Sequence, residues 1–191
     1  METCDFAIAQ AISAQCDKPQ VPGIRNNAWL INYKDIDMSL LERDGNIITS
    51  LALLEGKYAY PVYVPGKTPF TGTQTALTTG TYFNKFTKTA SIVVLDSGPD
   101  VSQNIIDQLA NGEFVFIFEN KYKGTEDKNT FEIYGLENGL HATEMTNDKY
   151  SEETDGGWAV TLAEEGATKS GLFFFQDDIE TTREAIKSMV A

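Results

Sequence analysis

Histidine is almost absent from this chain: His141 is the only one in 191 residues. It lies in the alternating stretch Gly139-Leu140-His141-Ala142-Thr143, with no serine or cysteine near it in a nucleophile motif. An imidazole-based hydrolytic centre is therefore not expected, and His141 reads as an ordinary strand residue. Cysteine is scarce too. Cys4 and Cys16 both fall in the N-terminal segment. Two thiols make no disulfide framework, so they read as free cysteines of a reducing compartment, with a bridge between them as the alternative. Long apolar runs are missing: nothing approaches roughly 18 apolar residues, so no transmembrane helix is expected. The N-terminus also lacks the basic region and apolar core of a secretory signal. Glycine-rich phosphate loops are missing. Leu95-Asp96-Ser97-Gly98-Pro99 has a single glycine, and Pro99 removes a donor, which argues against a nucleotide cradle. Asp35-x-Asp37 and Asp148…Asp155 belong to no EF-hand pattern, so a dedicated metal site is not expected. We expect no catalytic residue, no cofactor and no metal; the chain reads as non-enzymatic.

Acidic residues are missing from one long stretch and crowded into another. None occurs between Glu55 and Asp96. Residues 1–95 hold eight basic and eight acidic side chains, which cancel; residues 96–191 hold seven basic and twenty acidic ones, which carry the whole net charge of −13. Specific nucleic-acid binders need Lys and Arg on phosphates, so that class is disfavoured. Repulsion of nucleic acid from an acidic surface, or plain solubility, fits the charge.

What is present centres on Ser91–Asn120, read as strand, turn, helix, strand. Ile92–Leu95 is a short apolar run, and Ser97-Gly98-Pro99-Asp100 is turn chemistry with Asp100 placed to cap a helix. Val101, Ile105, Ile106 and Leu109 share a helical face, and Gly112 sits where a left-handed C-terminal residue is wanted. Phe114–Phe118 is continuously apolar, as in a strand buried on both faces or covered by this helix.

Around this unit we expect strands over 28–33, 46–54, 58–64, 131–134, 140–146, 158–162 and 172–175. The strands 47–54 and 58–64 read as a hairpin, and Asn138-Gly139 is a hairpin turn signal between 131–134 and 140–146. Glu164–Ser170 reads as a polar turn. Asp177 or Asp178 caps a final helix with Ile179, Ile186, Met189 and Val190 on its apolar face. Eight Tyr and eleven Phe favour strands over helices. The expected fold is mainly β (α+β): an antiparallel β-sandwich or barrel with one flanking helix at about 100–111, a long Thr-rich extension at about 66–90, and a C-terminal helix at about 178–190. It is expected as a single domain over 1–191, with an N-terminal arm at 1–22 and the final helix within 177–191.

The extension, Gly66–Ala90, holds nine threonines, four aromatic residues and no acid. A neutral-to-basic ribbon in an acidic protein suits contact with another copy of the chain; an irregular hairpin packed on its own domain is the alternative. If it is an arm, Phe70, Leu77, Tyr82, Phe83 and Phe86 are the candidate subunit-interface residues, and Gly72–Lys85 is dispensable for folding.

The order of elements over roughly residues 20–175 resembles the tail tube proteins of long-tailed bacteriophages and related injection-system tubes. The matching features are the strand–helix–strand at Ile92–Phe118, the preceding extension at Gly66–Ala90, and the paired strands Phe131–Tyr134, Leu140–Thr146, Trp158–Leu162 and Leu172–Phe175. The resemblance implies a β-sandwich whose long hairpin reaches a neighbour, in hexameric rings that stack into a hollow tube for DNA ejection. It implies self-association and contact with other tail proteins as partners. DNA would pass through the lumen without specific binding, and no membrane would be involved. The location would be the virion tail, after assembly in the host cytoplasm. Other ring components of the tail or head–tail junction (terminator, connector, decoration protein) are the nearer alternative. A β-sandwich ligand-binding module, a stable monomer with Tyr58, Tyr60 and Tyr63 in a groove, is the more distant one.

Overall fold

One strand decides the layering. Val115 and Ile117 of Phe114–Phe118 belong to one buried cluster, while Phe114, Phe116 and Phe118 belong to another. A strand's side chains alternate between faces, so a continuous apolar run must be covered on both. The computed structural model describes residues 6–13, 16–63, 70–124 and 126–191, with backbone alone at 70 and 71.

The fold is mostly β, with two sheets and little helix. The strands are β1 (Ile24–Asn32), β2 (Glu42–Asp44), β3 (Ile47–Ser50), β4 (Tyr60–Pro61), β5 (Phe70–Thr78), β6 (Lys85–Val94), β7 (Phe114–Asn120), β8 (Phe131–Tyr134), β9 (His141–Asn147), β10 (Trp158–Ala167) and β11 (Leu172–Phe174). A helical segment, α1, covers 99–111, and α2 covers Ile179–Ser188. One sheet has seven strands in the order β2-β3-β11-β8-β7-β1-β4; the other has four, β5-β6-β10-β9. All pairings are antiparallel except β3 with β11.

The first buried cluster lies between the seven-stranded sheet and α2. It joins Ile31, Val115, Ile117, Ile133 and Phe174 to Ile186 and Met189. The second draws on both sheets and α1, with Phe116 and Phe118 meeting Ala90, Ile92, Val160, Leu162 and Leu109. Trp29 packs with Ile31 on the α2 side and Leu30 on the other, as the alternation of β1 predicts. Asp178 caps α2, its Oδ1 accepting the Thr181 N–H at 2.7 Å.

Several expectations are corrected. The segments 47–54 and 58–64 do not pair as a hairpin: β3 pairs with β2 and β11, while the two-residue β4 pairs with β1. The turn at Glu55-Gly56-Lys57 does form, closed by the Lys57 N–H to the Leu54 carbonyl at 3.0 Å, but it hands the chain to another part of the sheet.

The segments 131–134 and 140–146 likewise do not pair with each other. Gly135–Gly139 is a corner between sheets, and Phe114 and Leu140 exchange two backbone hydrogen bonds (3.0 and 2.8 Å) just past it. Gly135 takes φ 86°, and a Cβ there would collide with the Phe114 carbonyl, so the corner demands glycine.

Glu164 is not in a turn, because β10 continues to Ala167 and the Glu164 side chain turns inward. At α1 the N-cap is Gly98 with Pro99 next, and no side chain caps the segment; Asp100 lies in its first turn. Gly112 is extended, at φ −92°, not left-handed. It is glycine because a Cβ would strike the Phe114 ring and the Gln108 carbonyl.

Candidate functional site

The Thr-rich stretch forms a two-stranded ribbon. β5 pairs with β6 from Thr78↔Lys85 back to Phe70↔Ile92. Threonine serves both faces here. The Thr75 hydroxyl points inward and donates to the Tyr134 hydroxyl at 3.1 Å, while Thr78 and Thr87 bond to each other at 2.9 Å on the exposed side. β6 is an interior strand of its sheet, with Lys88, Ala90 and Ile92 buried, so the ribbon's second half belongs to the core.

Of the five expected interface residues, three point into solvent around the turn: Leu77 is 57% exposed, Tyr82 90% and Phe83 63%. Phe86 is half-buried, opposite Ala167 of β10, and the Phe70 side chain lies outside the described residues. The tip, with Lys85, Thr87, Glu165 and Gly166, borders an open depression of about 730 Å³. Residues 66–69, also part of the expected extension, lie outside the described residues, as does Cys4 of the possible cysteine pair.

The sequence reading missed a charged cluster between the sheets. Lys88 and Glu164 face each other in the β6–β10 register, both fully buried, with Nζ 3.4 Å from Oε2. Glu164 also accepts three backbone N–H groups of the corner, from Gly135 (2.9 Å), Glu137 (2.9 Å) and Asn138 (3.0 Å). Lys88 Nζ lies 5.8 Å above the Tyr134 ring.

Burial pushes the Tyr134 phenol up to about 12, with Glu132 adding to the shift and the Thr75 hydroxyl opposing it. Burial also raises the Glu132 carboxyl, against the opposing pull of Asn120 and Lys88. Glu137 is held below the usual carboxylate range: burial works against this, but the Thr168 hydroxyl and the N–H groups of Lys169 and Thr168 outweigh it. Since Lys88 and Glu164 expose nothing, no solute reaches them; the cluster fixes the corner and the β6–β10 register. The legible signal was the alternation itself. Lys88 continues the inward series of Ala90 and Ile92, and Glu164 continues that of Val160 and Leu162.

On the other side of β7, Glu119 is buried but reached from the surface. Asn27 Nδ2 donates to it at 2.7 Å, and Arg183 and Arg25 approach at 3.3 and 3.5 Å. His141 is half-exposed, 3.8 Å from Glu113. No group of three or more metal-ligating side chains occurs among the described residues, and among these no helix is long and apolar enough to cross a membrane.

A second open surface is a groove of about 810 Å³ between α1, the end of β6 and the β4 edge. Its base includes Leu30, Ile92, Leu109 and Phe114, and its rim includes Tyr60, Tyr63, Leu95 and Ile105, all four exposed. Tyr58 is exposed nearby in sequence but does not line it. No protein-family model, curated protein or solved structure matches the chain.

Proposed function

We propose that this chain is a non-enzymatic virion structural protein, the subunit of a bacteriophage tail tube that forms stacked rings around a DNA-conducting lumen. In this reading the two sheets are the β-sandwich of the subunit, and the β5–β6 ribbon is the extension that reaches a neighbour. The observation that carries it is the ribbon tip, where Leu77, Tyr82 and Phe83 are held in solvent by paired strands anchored in the core. Exposed aromatic residues on a rigid support suit a protein–protein contact. The charge is compatible: all of the net −13 comes from residues 96–191, and a lumen that passes a polyanion works best without cationic sites.

The test is light scattering and negative-stain microscopy of the purified chain across concentration, with Tyr82→Ser/Phe83→Ser beside it. Rings or tubes are expected from the parent, and from the variant a fold unchanged by circular dichroism with assembly requiring about tenfold more protein or lost. A parent that stays monomeric at every concentration overturns the reading. Rings that never stack point instead to a terminator, connector or other ring component. A ligand-binding module is the second reading. Tyr60 and Tyr63 on the groove rim favour it, and it requires a monomer that binds a glycan or peptide there.

A further inference from the structure

The groove between α1, the end of β6 and the β4 edge has room for a ligand. At about 810 Å³ it falls within the roughly 300–1,000 Å³ of small-ligand sites. Its lining is mixed. Three carboxamides, those of Asn32, Asn104 and Gln108, accompany the apolar base. Two of them are held in place: Asn32 Nδ2 donates to Asp35 Oδ2 at 2.8 Å, and Gln108 Nε2 donates to the Gln103 carbonyl at 3.2 Å. Tyr60 and Tyr63 stand exposed on the rim.

The helical wall is irregular at this point. The middle of α1, Ser102–Ile106, is π-helical, with the Asp107 N–H reaching back to the Ser102 carbonyl. Such a turn holds one residue more than an α-helical turn; it is rare, and frequently found at functional sites. Two of its residues, Asn104 and Ile105, are exposed and line the groove, while Ile106 is buried. The irregularity therefore coincides with the groove and places a carboxamide and an aliphatic side chain on it.

The charge balance narrows the ligand. Among the described residues the lining holds one cation, Lys34, and one anion, Asp96. On a chain of −13 this is a balanced patch, complementary to an uncharged ligand. One lysine offers no track for phosphates, which disfavours nucleic acid. A peptide added as a strand is disfavoured too. β4 pairs over Tyr60–Pro61 only, and the Val62 N–H goes to the Ala28 carbonyl of β1. The outward N–H of that edge would have to come from residue 61, which is proline. A peptide helix seats apolar anchors in an apolar groove, and here carboxamides interrupt the wall. A saccharide meets every feature. Its C–H faces lie flat on tyrosine rings. Its hydroxyls both donate and accept, as carboxamides do, and it needs no charge.

We propose that the α1–β4 groove binds a neutral oligosaccharide, with Tyr60 and Tyr63 as stacking platforms and Asn104 and Gln108 as hydroxyl partners. This goes beyond the assembly reading and does not rest on it, because a ring subunit and a monomer can both carry such a site.

The experiment applies the full-length chain to an array of neutral and acidic oligosaccharides, with an array of random peptides beside it. Maltohexaose, cellohexaose and chitohexaose are among the neutral probes, and hexagalacturonate is among the acidic ones. The strongest neutral probe is then titrated by calorimetry, with an expected Kd below about 1 mM. Tyr60→Ala and Asn104→Ala, both at exposed positions, are each expected to weaken that binding about tenfold with the circular dichroism unchanged. Tyr150→Ala, exposed and outside the groove, is expected to leave it as it was. Binding of no neutral saccharide, of acidic saccharides alone or of peptides alone overturns the proposal, as does binding indifferent to both groove variants. Light scattering of the same samples separates this proposal from the tube reading. Saccharide binding by a chain that stays monomeric upholds the groove and defeats the tube; rings or tubes that bind no saccharide do the reverse.

Discussion

The two faces of β7 are packed by different means. Toward α2 the strand meets carbon: Ile31, Ile133, Phe174 and Ile186 surround Val115 and Ile117, and the buried carboxylate of β7, Glu119, lies near the strand's end where partly exposed arginines reach it. Toward the four-stranded sheet, Phe116 and Phe118 share their layer with a wholly buried Lys88–Glu164 pair, Glu132 and Tyr134. Apolar packing is tolerant of small slips. Pulling a buried ion pair apart leaves an uncompensated charge, so the pair penalises registers that separate it. The first face holds the fold together; the second determines which strand lies opposite which.

That contrast is open to being broken, and the largest expected effect is at Glu164. Glu164→Leu strands a buried ammonium and three backbone N–H groups, at a cost of about 3–5 kcal/mol in urea denaturation. Lys88→Met is expected to cost clearly less, because the carboxylate keeps its three N–H donors. Equal costs for the two would mean that the pair, and not the corner, is what Glu164 serves. On the carbon face, Ile186→Ala is expected to cost about 2–3 kcal/mol by the same measurement, through lost contact and a partial cavity.

Glu132→Gln sharpens the comparison with a sign. The Glu132 carboxyl is raised in the folded state, so the folded chain holds that proton more tightly than the unfolded chain does. The stability it contributes is present below the ordinary carboxylate range and is lost as pH rises through the folded value. Glu132→Gln should therefore raise the melting temperature slightly at neutral pH, with the difference vanishing near about pH 4. The smallest expected stability effect is at the ribbon tip. Tyr82→Ser/Phe83→Ser touches neither face and should leave unfolding free energy within about 0.5 kcal/mol, even though assembly suffers.

Local periodicity made β7 and α2 legible in the sequence. Strand partners were less so. Glu55-Gly56-Lys57 is a genuine turn, yet what β3 pairs with is decided by residues more than a hundred positions later, at Phe173 and Phe174. Asn138-Gly139 also turns the chain, but toward the other sheet, because Glu164 gathers the corner's N–H groups. Lys88 and Glu164 were hidden by the rule that charges face water, although the alternation around them was intact. The groove was not read from the sequence: Tyr58, Tyr60 and Tyr63 entered only as what a ligand-binding module would expose, Tyr58 does not line the groove, and its other wall, Ile105 and Leu109, comes from α1.

β11 slots between β8 and β3, parallel to the latter, and the Ala59 N–H reaches the Met189 carbonyl at 2.7 Å. During synthesis, the β2–β3 pair must therefore wait with one edge of β3 unpaired until the chain has emerged past residue 174, and Ala59 waits longer still. A nascent chain halted before β11 displays two open strand edges, those of β3 and β8, at the centre of the future seven-stranded sheet. Unpaired edges of that kind recruit one another, so ribosomal stalling or proteolysis in this region should produce aggregates, not a smaller soluble domain.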